Sequence, residues 1–146
     1  MVVNESKIGQ AAAADLIRKA NEMREYSYCP YSGFTVGAAL LTDDGRIYGG
    51  CNVENAAYSV GICAERTAIV KAISEGARRF RAIAVVGGKH HVPNEYSFPC
   101  GECRQVMREF CDPEEFEIIA AKSEIDYRCY TLEELLPESF SPQNLV

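Results

Sequence analysis

Two cysteine clusters and one carboxylate hold most of the chemistry this sequence can offer. Pro99-Cys100-Gly101-Glu102-Cys103 is a C-x-x-C that follows an apolar run and a loop and opens a helical stripe. Two thiolates at that spacing reach one metal ion from a single helical turn. The same spacing also serves thiol redox chemistry, and paired cysteines also sit in cores as small apolar residues. A third cysteine weakens those alternatives. Cys63 opens an earlier helical stripe in Gly61-Ile62-Cys63-Ala64-Glu65, so both clusters fall at helix N-termini that follow strands. In an α/β sheet such loops meet at one end of the strands, where free backbone N–H groups and the helix dipoles favour thiolate over thiol. Three sulfur ligands leave one corner of a tetrahedral zinc shell for water, the arrangement of a catalytic site. A closed structural zinc needs a fourth protein ligand, for which Cys51, Cys111 and Cys129 are available.

Glu65, two residues after Cys63, is placed to use that water as a proton carrier. A first-turn carboxylate also simply complements a helix dipole. Arg66 follows Cys63 by three residues, about one helical turn. Three thiolates on a zinc dication leave one net negative charge, which raises the pKa of a bound water. Charged N–H donors from Arg66 would offset it, whereas the commoner fate of an arginine is a solvated helix face.

The elements that must position these groups follow from periodicity. Ala13, Leu16, Ile17, Ala20 and Met23 recur at helical spacing between Gln10 and Arg24, which predicts an amphipathic helix ending before Cys29-Pro30. Phe34, Val36, Ala38 and Leu40 alternate, the Asp43-Asp44-Gly45 turn follows, and Ile47 to Cys51 resumes an extended pattern. This is a hairpin at an antiparallel edge. Ala64, Ala68, Ile69, Ala72 and Ile73 form a second helical stripe with Gly76 as its stop. Ala82 to Val86 is an uninterrupted apolar run, as in a strand buried on both faces.

Cys103, Val106, Met107 and Phe110 give a third stripe, with Cys103 pointing inward. Phe116 to Ala121 and Ile125 to Tyr130 read as strands, and Thr131 with Glu134 has capping-box spacing for a short helix through Leu136. The order implies a three-layer α/β/α domain around a mixed five-stranded sheet. Lys89 to Phe98 is the longest loop, and its His90-His91 pair reads as solvated rather than ligating.

With 146 residues, 47% of them hydrophobic and 25% charged, the chain has the size and composition of one globular domain, 1–146. Its net charge of -6, with no basic run longer than Arg78-Arg79, is opposite to that of a phosphate-tracking nucleic-acid binder. No stretch approaches the ~20 apolar residues that span a bilayer. The N-terminus has no basic segment leading into an apolar core and cleavage site. Seven cysteines, an odd number, in a chain this long fit reduced thiols in the cytoplasm better than a disulfide framework.

Cys63-Ala64-Glu65 followed by Pro99-Cys100-Gly101-Glu102-Cys103 matches the zinc-dependent nucleoside deaminase pattern, His/Cys-Ala-Glu with a later Pro-Cys-x-x-Cys. From about Tyr28 to Phe140 the chain resembles the cytidine deaminase family in its small, all-cysteine, homotetrameric form. The resemblance rests also on Tyr28-Cys29-Pro30-Tyr31-Ser32-Gly33-Phe34-Thr35-Val36-Gly37, on Cys51-Asn52-Val53-Glu54-Asn55-Ala56-Ala57-Tyr58 and on Leu135-Leu136-Pro137-Glu138-Ser139-Phe140. It implies one zinc per subunit on Cys63, Cys100 and Cys103. It implies that Glu65 shuttles protons while a zinc-activated water adds to C4 of cytosine.

Ammonia then leaves, so that cytidine and 2′-deoxycytidine give uridine and 2′-deoxyuridine, an activity of pyrimidine salvage. It further implies that Asn52 and Glu54 bind ribose hydroxyls, Phe34 packs on the pyrimidine and the Ala64 backbone reads the base edge. Ala56, Tyr58 and Phe140 resemble residues that complete a neighbouring subunit's site, and Arg66 resembles a thiolate-bonding arginine. The alternative within the pattern is a deaminase of another cytosine-bearing small molecule such as blasticidin S, against which Asn52-Val53-Glu54-Asn55 argues.

Overall fold

The computed structural model describes residues 2–90, 92 and 94–146, so the expectation for His91 lies outside the described residues. One sheet runs through the molecule in the order β1-β6-β5-β4-β2-β3. Its strands are β1 (Val2–Val3), β2 (Phe34–Thr42), β3 (Ile47–Cys51), β4 (Phe80–Lys89), β5 (Glu117–Ser123) and β6 (Asp126–Thr131). The hairpin β2–β3 forms one edge, and β4, antiparallel to β2 and parallel to β5, sits in the middle. Six strands replace the expected five. The extra one, β1, is two residues long and pairs in parallel with β6, Val2 opposite Tyr127 and Val3 opposite Arg128. Two residues are too few to show a period, so the pairing partner rather than the local pattern creates this strand.

Helices cover both faces, giving the three expected layers. Helix α1 (Gln10–Met23) lays Ala13, Leu16, Ile17 and Ala20 on a face built from Ala39, Ala82, Ala84, Val86, Ile119 and Ala121. Helices α2 (Ala64–Ser74), α3 (Gly101–Phe110) and α4 (Leu132–Leu135) pack on the other face around Leu40, Ile83, Met107, Phe116 and Ile118. Ala82 to Val86 are all buried, as an apolar run without alternation requires.

The alanine-rich sheet faces let the helices come close. At Gly50 the approach is closer still, because a methyl group there would lie 2.6 Å from the Ala64 carbonyl oxygen. That contact fixes the start of α2, and with it Cys63, against the sheet. Two apolar residues sit outside the expected pattern. Ile125 lies in the exposed β5–β6 turn, and Phe110 is partly exposed at the end of α3.

Candidate active site

Helices α2 and α3 each start from a cysteine. Cys63 is the N-cap of α2 and Cys100 the N-cap of α3; each has extended backbone, and neither side chain caps its helix. Cys103 is in the first turn of α3 and fully buried. The freed sulfurs face one another, with Cys63 Sγ 3.8 Å from Cys100 Sγ and Cys100 Sγ 3.5 Å from Cys103 Sγ. All three lie within 4.8 Å of one another. Sulfurs at ~2.3 Å from a tetrahedral zinc stand about 3.8 Å apart, close to the two spacings on Cys100, so the donor set and its spacing suit zinc. Among the described residues no fourth His, Cys, Asp or Glu joins the group. Cys51, Cys111 and Cys129 are buried elsewhere as free thiols, and burial pushes Cys111 and Cys129 up to about 12.

The thiols hold their protons unequally. The hydrogen bond with Cys103 pulls the Cys63 thiol down, and Arg66 adds to the pull, while the same sulfur together with burial drives Cys103 up. Arg66 Nη2 donates to Cys63 Sγ at 3.6 Å and lies 3.3 Å from Glu102 Oε2. Its guanidinium is held above its ordinary range first by the Cys63 bond. The arginine is therefore shared between a ligand sulfur and an exposed carboxylate between the other two ligands. Glu65, in the first turn of α2, is 4% exposed, and burial lifts its carboxyl to about 7.

A cleft of about 600 Å³ opens over Cys63, Cys100 and Glu65. Phe34, Asn52, Glu54, Ala64, Tyr58 and Arg66 also line it, so most of the expected site residues converge. Ala56 and Phe140 are exposed and lie outside its lining. Tyr58 stands at its mouth, 80% exposed and edge-on to Tyr31 at 5.9 Å. His90 is exposed on the loop after β4 and not among the cleft's lining residues.

Sequence patterning missed Ser97 and Phe98, which line the cleft from the long loop; their adjacency to Pro99-Cys100 was the available signal. It also missed Arg104, which donates to the Pro99 carbonyl at 2.7 Å and the Leu135 carbonyl at 2.6 Å, tying the Cys100 turn to the C-terminal segment.

The family described as "Cytidine and deoxycytidylate deaminase zinc-binding region" matches residues 11–118. A cytidine deaminase of Sporosarcina psychrophila is 47% identical over 130 residues, covering 89% of this chain and 92% of that protein. A probable cytidine deaminase of Dictyostelium discoideum is 42% identical over 130 residues, covering 89% of this chain and 84% of that protein. The crystal structure of cytidine deaminase from Burkholderia pseudomallei superposes with a TM-score of 0.77 at 48% identity, covering 86% of this chain and 97% of that one.

Proposed function

This chain belongs to the cytidine deaminase family, and from that premise we propose how its residues divide the work of turning cytidine and 2′-deoxycytidine into uridine and 2′-deoxyuridine with release of ammonia. One observation carries the reading: three sulfurs within 4.8 Å of one another, with no fourth protein donor among the described residues, beside a cleft that also holds a buried carboxylate. Cys63, Cys100 and Cys103 would hold one zinc ion. When bound there, zinc supplies Lewis-acid activation of the water that adds to C4 of the base.

Glu65 would carry that water's protons, one to ring N3 as the oxygen adds at C4 and the other to the departing amino nitrogen, so that uridine and ammonia result. A carboxylate buried in the first turn of α2 and lining the cleft beside the sulfur cluster is placed to accept and return a proton, which is the property a shuttle needs. Phe34 offers its ring to the pyrimidine, the Ala64 N–H at the start of α2 reads the base edge, and Asn52 and Glu54 meet the ribose hydroxyls. Arg66 offsets the charge of the thiolates. The paired sugar-reading groups Asn52 and Glu54 favour a nucleoside over blasticidin S.

The chain acts as one domain over 1–146, with both hydrophobic cores pressed on the two faces of a single sheet. The active unit is a homotetramer with shared sites. Supporting this, Phe140 is 58% exposed and Ala56 is exposed, both outside their own cleft, and Tyr58 projects from its mouth. A cytoplasmic location suits seven free cysteines, and among the described residues no helix is long and apolar enough to cross a membrane. The net negative charge argues against a nucleic-acid partner.

Glu65→Gln tests the assignment. The amide keeps the shape and the zinc but carries no proton, so turnover followed by loss of cytidine absorbance should fall by at least ~10²–10⁴-fold. Near-normal turnover in a zinc-replete variant would refute Glu65 as the shuttle.

A further inference from the structure

The two residues assigned to the sugar also grip the segment that carries the base-packing ring. Strand β3 ends at Cys51, opposite Gly37, whereas β2 continues back to Phe34. Beyond that end the Asn52 side chain extends the ladder. Its Oδ1 accepts from the Val36 N–H at 2.9 Å and its Nδ2 donates to the Phe34 carbonyl at 2.8 Å. Glu54 grips the preceding turn, where its Oε1 accepts from the Tyr31 and Ser32 N–H groups at 3.0 and 3.1 Å. Its Oε2 accepts from the Ser32 hydroxyl at 2.5 Å. That same hydroxyl oxygen accepts from the Phe34 N–H at 3.0 Å.

We propose that Ser32 is a positioning residue for the deamination reaction, relaying the hold of Glu54 to the Phe34 backbone so that sugar recognition and ring placement act as one unit. The proposal rests on the reading that Phe34 packs on the pyrimidine.

Both polar groups of the Phe34 backbone are thereby bonded by side chains, the N–H by Ser32 and the carbonyl by Asn52. A hydroxyl suits the relay because it donates and accepts at once. Ser32 gives its proton to the carboxylate and its lone pair to the amide. The Ser32 hydrogen bond also holds the Glu54 carboxyl below its ordinary range, so the carboxylate stays charged as the acceptor.

The ring is fixed separately. At Gly87 an added methyl would lie 3.0 Å from Phe34 Cε1 and 2.5 Å from Ser97 Oγ, so the ring edge and Ser97 occupy the space a side chain would fill. The backbone is fixed at one end and the ring edge at the other. A small shift of the turn at Ser32 therefore becomes a tilt of the ring within the cleft.

The test compares wild type, Ser32→Ala and Ser32→Thr. Hydrogen exchange of the Phe34 amide, read in ligand-free protein, reports the grip without turnover. Loss of a hydrogen bond worth ~1 kcal/mol should speed that exchange roughly fivefold in Ser32→Ala. Values of kcat/KM are then measured for cytidine and for 2′,3′-dideoxycytidine, which lacks the hydroxyls that Asn52 and Glu54 would bind.

The expected result is a similar loss, also roughly fivefold, on both nucleosides, with Ser32→Thr restoring exchange and activity together. Unchanged exchange at Phe34 overturns the proposal. So does faster exchange with unchanged kcat/KM, or a loss confined to cytidine, because Ser32 would then serve only the sugar contact. Phe34→Ala separates the premise: full activity there would sink the stacking reading, while the Ser32→Ala exchange result would still report the grip.

Discussion

Helix α4 and the pair α2 and α3 begin in opposite ways. At α4 the Thr131 hydroxyl accepts from the Glu134 N–H at 3.2 Å while the Glu134 carboxylate accepts from the Thr131 N–H at 3.0 Å, a complete capping box. At α2 and α3 the N-caps are Cys63 and Cys100, whose side chains cap nothing and face each other. A cysteine is a poor substitute for the Ser, Thr, Asp and Asn that satisfy first-turn N–H groups. The two deeper helices give up local stability where their first turns serve a metal, whereas the surface helix keeps its cap. The contrast shows where this fold places function: at helix starts whose side chains are withdrawn from the helix.

Cys100→Ser strains that contrast hardest. In the metal-loaded enzyme it removes a soft ligand, so zinc retention against a chelator should collapse and turnover with it. In chelator-stripped protein the sign reverses. Serine at an N-cap with this extended backbone can accept from the first turn, so the stripped variant should match or exceed stripped wild type by up to ~1 kcal/mol in urea unfolding. Equal zinc retention in the two proteins would show that Cys100 is not a ligand.

The buried carboxylate gives the next largest effect. In stripped protein the Glu65 carboxyl is raised from 4.5 to about 7 by burial. A raised carboxyl binds its proton more tightly in the folded state. The stabilisation is therefore complete below about pH 4.5 and is lost as pH rises through about 7. A shift of this size corresponds to roughly 3 kcal/mol. Stripped Glu65→Gln should lack that decline, so the gap between the two unfolding curves should widen from pH 5 to pH 8. Parallel curves would show that Glu65 is not held in a desolvated place.

Thr131→Ala is the mildest change. Loss of the capping box should lower stability by ~1 kcal/mol and leave zinc content and kcat untouched, because α4 contributes no residue to the cleft. A fall in zinc content would mean that the α4 cap supports the metal site through the Leu135 carbonyl and Arg104.

These regions also differ in how readily they are read from sequence. The Cys100–Cys103 pair, the place of Glu65 beside Cys63 and the Thr131 capping box were legible because each depends on residues a few positions apart, where spacing maps directly onto helix geometry. Cys63, 37 residues before Cys100, joined them through the expectation that helix starts meet at one end of an α/β sheet. The three layers were legible because the stripes and the Ala82 to Val86 run fix which faces are buried. Strand β1 was hidden because a two-residue strand has no period. Ser97, Phe98 and Arg104 were hidden because their roles arise from where a loop and a C-terminal segment return in space. The double use of Asn52 and Glu54 was hidden for the same reason: the resemblance implies the sugar, but only the folded β2–β3 edge reveals their grip on the Tyr31 to Val36 backbone.

X-ray absorption at the zinc edge of the zinc-loaded enzyme tests the open three-cysteine site most directly. The arrangement of Cys63, Cys100 and Cys103 without a fourth protein donor among the described residues predicts three sulfur scatterers at about 2.3 Å and one oxygen at about 2.0–2.2 Å. Four sulfurs at one distance would mean that another cysteine closes the shell, leaving a structural zinc with no place for the water that Glu65 is proposed to deprotonate.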